Sequence, residues 1–135
     1  MKDLELIGLA KQAREAAYAP YSRFLVGAAL LCADGTVYTG CNIENAAYTP
    51  TNCAERTAFF KAVSEGKREF VAIAIVAGPQ DGALSTTAPC GVCRQVMMEF
   101  CKPEFRILLG QEGETYRSFT LEELLPQGFG PDNLK

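Results

Sequence analysis

Eight consecutive apolar residues, Phe70-Val71-Ala72-Ile73-Ala74-Ile75-Val76-Ala77, constrain this chain more than any other stretch. A membrane helix takes about 20 apolar residues, and no segment approaches that. A strand apolar at every position is one buried on both faces. The chain must therefore supply cover for a sheet on two sides.

The covering elements can be read from periodicity and turn chemistry. Leu4, Ile7, Ala10, Ala13 and Ala17 recur at helical spacing, which predicts a first helix over residues 3–17, ended by Ala19-Pro20. Residues 24–32 are apolar and strand-like. Asp34-Gly35 is a hairpin turn, and residues 37–41 return as a second strand. A loop over 42–52 leads to a second helix over 53–65, with Asn52 as N-cap and Gly66 as stop. The apolar run is the third strand. A Gly/Pro/Ser/Thr-rich loop over 78–89 precedes a third helix over 90–100, which ends before Pro103. Residues 106–110 and 116–119 read as two more strands. Thr120 and Glu123 form a capping box for a short last helix through 125.

The order α-β-β-α-β-α-β-β-α holds two β-α-β passes. Right-handed crossovers then bring partly parallel strands, with helices packed on the sheet. The economical fold is α/β: a three-layer α/β/α sandwich around a mixed five-stranded sheet. With 135 residues, no repeat and no linker, residues 1–135 are expected to form one domain.

Charge and histidine content exclude several function classes. Thirteen basic and sixteen acidic residues leave a net charge of −3, so neither a nucleic acid nor an anionic membrane is an expected partner. There is no histidine. Ser-His-Asp and Cys-His catalysis, and any zinc site that needs imidazole, are excluded. The charged start Met1-Lys2-Asp3-Leu4-Glu5 does not resemble a signal peptide, and a cytoplasmic location is expected. Six cysteines in a reducing compartment are expected as thiols or metal ligands.

Pro89-Cys90-Gly91-Val92-Cys93 places a C-x-x-C at the start of the third helix. Such a motif serves thiol–disulfide exchange or a metal. Asn52-Cys53-Ala54-Glu55-Arg56 opens the helix before it. Three cysteines at two helix N-termini can hold one zinc ion and leave its fourth corner for water, as catalytic sites do. Helix N-termini also stabilise thiolates. Cys53 and Glu55 are two residues apart and serve one site only if it lies off the helix end. Three thiolates would leave zinc with a net charge of −1, and Arg56 and Arg94 are placed to offset it. Glu55 is then the proton carrier. A zinc module with a fourth sulfur from Cys41 or Cys101, and a redox protein using Cys90 and Cys93, are the competing readings.

Cys53-Ala54-Glu55 with Pro89-Cys90-Gly91-Val92-Cys93 resembles the zinc deaminase signature, with Cys where many members have His. Gly40-Cys41-Asn42-Ile43-Glu44-Asn45-Ala46 and Cys53-Ala54-Glu55-Arg56-Thr57-Ala58 narrow the resemblance to the short, homotetrameric cytidine deaminases. It runs from Tyr18-Ala19-Pro20-Tyr21-Ser22 to Leu124-Leu125-Pro126. The resemblance implies one zinc per subunit on Cys53, Cys90 and Cys93, attack of activated water on C4 of the pyrimidine, and release of ammonia and uridine. Glu55 would move protons to N3 and to the amine. Arg56 would hydrogen-bond the thiolates. Phe24 would pack on the base, Asn42 and Glu44 would bind the ribose 3′-hydroxyl, and the Ala54 N–H would serve the base edge. Tyr48 and Phe129 would close a neighbouring subunit's pocket, so that a homotetramer shares its active sites.

Thr49-Pro50-Thr51-Asn52 departs from the family pattern, in which a small and then a larger apolar residue precede the ligand. Pro50 stiffens this approach to the second helix. Blasticidin S deaminase shares the zinc logic, but paired Asn42 and Glu44 favour a plain ribonucleoside.

Overall fold

The computed structural model describes residues 1–135. Helix α1 spans Asp3–Arg14. Strands β1 (Phe24–Cys32) and β2 (Val37–Cys41) form the hairpin at Asp34-Gly35. Gly35 sits at φ +91°, where a side chain would be strained, and Thr36 N–H bonds Asp34 Oδ1 at 2.9 Å. Helix α2 (Ala54–Ser64), strand β3 (Phe70–Pro79) and helix α3 (Gly91–Phe100) follow. Strands β4 (Arg106–Gly110) and β5 (Tyr116–Thr120) lead to α4 (Leu121–Leu124) and a 3-10 turn, Pro131–Leu134. The capping box of α4 forms as expected, between Thr120 and Glu123. No helix is long and apolar enough to cross a membrane.

The sheet order is β2-β1-β3-β4-β5. Only β3 and β4 pair in parallel; the other three pairings are antiparallel. The apolar run splits its side chains between the two faces. Ala72, Ala74 and Val76 pack with Leu6, Ile7 and Ala10 of α1. Ile73 and Ile75 pack with Ala58, Phe59 and Ala62 of α2 and Met97 of α3. The three-layer sandwich of the sequence reading is therefore present, with α1 alone on one side. Both crossover helices lie on the other, which brings their N-termini to one end of the sheet.

Several ends shift, most by a residue or two, and two of the differences have a clear physical cause. Helix α1 ends at Arg14 and not near residue 17. Tyr18 N–H bonds Asn42 O and Glu44 N–H bonds Tyr18 O, so pairing with the loop after β2 draws the chain out of the helix. The Arg14 guanidinium meanwhile bonds the carbonyls of Leu25, Gly78 and Pro79. Asn52 does not cap α2. It pairs with Ile43 in an isolated bridge, and Cys53 takes the N-cap position with φ −75° and ψ 154°.

A surface cluster ties α1 to the far strands. Arg106 donates to both Asp3 oxygens, at 2.9 and 2.7 Å, and the Tyr116 hydroxyl donates to Oδ2 at 2.8 Å. The hydrogen bonds from Arg106, chiefly, and from Tyr116 hold the Asp3 carboxyl below its usual range. A carboxyl depressed in the folded state adds stability that is full above its unfolded pKa, about 4, and is lost as the pH falls through the folded value. Asp3→Asn therefore melts below the parent at pH 7, and the gap narrows as both are melted at pH 3. An equal gap at the two pH values would contradict this account.

Candidate active site

Cys53 and Cys90 are the N-cap residues of α2 and α3, both with extended backbone, and Cys93 lies in the first turn of α3. Each cap position turns its thiol toward the end of its helix, where the first N–H groups have no partner within the helix. The three Sγ atoms lie within 4.8 Å of one another. Cys53 Sγ and Cys90 Sγ are 3.9 Å apart. Cys32, Cys41 and Cys101 are free and outside this group, so no fourth sulfur joins it.

Arg56, in the first turn of α2, donates to Cys53 Sγ at 3.2 Å. A hydrogen bond from Cys93 and the Arg56 guanidinium pull Cys53 down to about 5 against the opposing effect of burial. Cys93, which gives that hydrogen bond and is buried, is raised. Arg94 makes no hydrogen bond to the sulfurs: its guanidinium bonds the carbonyls of Pro89 and Leu124, clamping the approach to Cys90.

Glu55 is 5% exposed, one of two buried polar residues in the chain. Burial pushes its carboxyl up to about 7, with the Cys53 charge adding to the rise. A carboxyl poised near neutrality both takes and gives protons.

Asn42, Cys53, Ala54, Glu55 and Cys90 line one cavity of about 200 Å³. Val26, Ile75, Thr51, Asn52, Thr87 and Ala88 complete its wall. The sequence reading did not place Val26, Ile75, Thr87 or Ala88 at a pocket; the only signal for Thr87 and Ala88 was their place just before the C-x-x-C. Phe24, at the start of β1, and Glu44, in the loop after β2, are not part of this wall. Asn42 Nδ2 donates to Phe24 O at 2.8 Å and its Oδ1 accepts from Val26 N–H at 2.9 Å, which leaves one amide hydrogen. Tyr48, at φ +63°, is 74% exposed and Phe129 is 59% exposed. Neither lines this cavity. A larger groove, about 530 Å³ beside the end of α3, contains Cys101 and several carboxylates but no clustered metal ligands.

Residues 1–109 match the family described as the cytidine and deoxycytidylate deaminase zinc-binding region. The chain belongs to that deaminase family. A cytidine deaminase of Halalkalibacterium halodurans is 54% identical over 96% of this chain and 95% of its own length. One of Sporosarcina psychrophila is 52% identical over 96% and 93%. The solved cytidine deaminase of Burkholderia pseudomallei superposes with a TM-score of 0.86 at 50% identity, covering 96% of this chain and all of that one. A blasticidin-S deaminase of Bacillus cereus is 31% identical over 93% and 90%.

The deaminase family's metal is zinc, and this chain's donors fit it. Tetrahedral Zn–S bonds of about 2.3 Å place sulfurs about 3.8 Å apart, against 3.9 Å for Cys53 and Cys90. Arg56 Nε is buried with no partner in the chain, a cationic donor kept beside sulfurs that are anionic once deprotonated.

Proposed function

We propose that this chain is a cytidine deaminase, converting cytidine and 2′-deoxycytidine with water to uridine and 2′-deoxyuridine plus ammonia. The observation that carries the reading is the convergence of three sulfurs from two helix N-termini beside one buried carboxyl. Cys53, Cys90 and Cys93 hold one zinc ion per subunit. Zinc bound there supplies Lewis-acid activation of water. Glu55 takes a proton and delivers protons to N3 of the base and to the departing amine. Arg56 draws charge from Cys53 by its hydrogen bond and keeps the thiolate oriented. The free N–H of Ala54 serves the base edge, and the cavity walls exclude bulk water.

Phe24 packs on the base. Asn42 and Glu44 bind the 3′-hydroxyl, which favours a nucleoside over blasticidin S. The chain is one catalytic domain, cytoplasmic, working as a homotetramer in which Tyr48 and Phe129 close a neighbour's pocket. Their exposure supports this, as does the apolar surface that Phe60 and Val92 leave open on α2 and α3.

Zinc content and cytidine turnover measured on one preparation test the reading. About one zinc per chain is expected, with turnover lost on chelation and restored by added zinc. Full turnover in zinc-free protein, or metal-edge spectra of four sulfurs with no oxygen, would overturn it.

A further inference from the structure

Ser22 lies between the two residues proposed above to hold base and sugar, and its hydroxyl touches both. Its Oγ accepts the Phe24 N–H at 3.0 Å. Its own hydrogen is directed to Glu44 Oε2, because a carboxylate only accepts. Glu44 Oε1 accepts two more bonds, from Tyr21 N–H at 2.9 Å and Ser22 N–H at 3.1 Å. These bonds, the Ser22 hydroxyl first, hold the Glu44 carboxyl low. A carboxylate offers about four acceptor positions, and three are filled from this one strap. The remaining position suits a single hydroxyl donor.

The strap is built tightly. Arg23, between Ser22 and Phe24, adopts φ +56°, an uncommon conformation for a residue with a side chain. Its N–H bonds Ala19 O and its carbonyl accepts Gln80 N–H. Phe24 is then held at both backbone groups, its N–H by Ser22 and its carbonyl by Asn42.

We propose that Ser22 is a positioning residue: it orients the Glu44 carboxylate toward the sugar 3′-hydroxyl. This rests on the reading that Glu44 binds that hydroxyl. The test compares KM and kcat for cytidine and for 2′,3′-dideoxycytidine, which lacks the hydroxyl. Ser22→Ala raises KM for cytidine by about tenfold, the scale of a hydrogen bond to a charged group, leaves kcat within about threefold, and leaves KM for the dideoxy substrate unchanged. Ser22→Thr, which keeps the hydroxyl, restores KM. Ser22→Cys, similar in shape with a weak donor, repeats the alanine result and guards against a folding artefact in the alanine variant. An unchanged cytidine KM, or an equal rise for both substrates, overturns the proposal. Glu44→Ala is the control for the underlying reading. If it too fails to discriminate between the substrates, the sugar assignment falls and Ser22's role falls with it. If it discriminates and Ser22→Ala does not, only the Ser22 proposal is lost.

Discussion

Glu55→Gln keeps its zinc and loses cytidine turnover by about 10²–10⁴-fold, the range typical of removing a general acid–base group. The substitution preserves shape and one acceptor oxygen but cannot accept and return a proton. Glu55 is not among the clustered sulfur ligands, so metal content is unaffected. A second readout follows from burial. The carboxyl is raised from 4.5 to about 7 in the folded chain. Its protonated form favours folding, so that contribution is whole below pH 4.5 and disappears as the pH rises to about 7. Between those values the metal-free parent loses stability that metal-free Glu55→Gln keeps. Single-turnover rates, metal analysis and melts at pH 5 and 8 examine all three points. Near-normal turnover with full zinc would remove Glu55 from the mechanism.

Much of this arrangement was legible because local signals and packing agree. The run Phe70–Ala77 reads as doubly covered, and its odd and even residues do face different helices. Two Cys-containing segments at helix starts read as one site because three thiols at two helix N-termini can hold one ion, and there they meet. Local pattern failed where a distant partner decided the outcome. Ala13 and Ala17 continue a helical period, yet pairing of Tyr18 with the loop after β2 ends α1 at Arg14. Asn52 is a good N-cap by propensity, but its backbone is paired with Ile43, which leaves Cys53 to cap. Arg94 adjoins a ligand in sequence, while helix geometry carries its guanidinium to Pro89 and Leu124. The Ser22 link was invisible because it joins residues 22 apart through a single hydroxyl.

Gly40→Ala is expected to cost about 3 kcal/mol or more, the upper end for overpacking, and to weaken zinc retention. Gly40 pairs with Ala28 in the sheet and lies directly under α2. A Cβ there would sit 2.4 Å from Ala54 O and 2.7 Å from Ala58 N, both backbone atoms that no rotamer change can move aside. The helix meets the sheet this closely because Ala54 and Ala58 are small and fully buried. Thr57 Oγ1, with one hydrogen to give, sits at the same approach, 3.2 Å from Cys41 O and 3.1 Å from Cys53 O. An added methyl therefore lifts the first turn of α2, the turn that carries Cys53, Glu55 and Arg56, while α3 with Cys90 and Cys93 stays on the sheet. Sulfurs 3.9 Å apart tolerate little of that displacement. Gly8→Ala is the matched control: it lies in α1 with nothing within 4 Å of its Cβ position, and it gains about 0.5–1 kcal/mol from helix propensity. Denaturant unfolding of both variants, with zinc affinity measured by competition against a chromophoric chelator, separates a lifted helix from a general loss of stability. If Gly40→Ala unfolds early yet binds zinc as tightly as the parent, α2 does not set the metal geometry through its contact with β2.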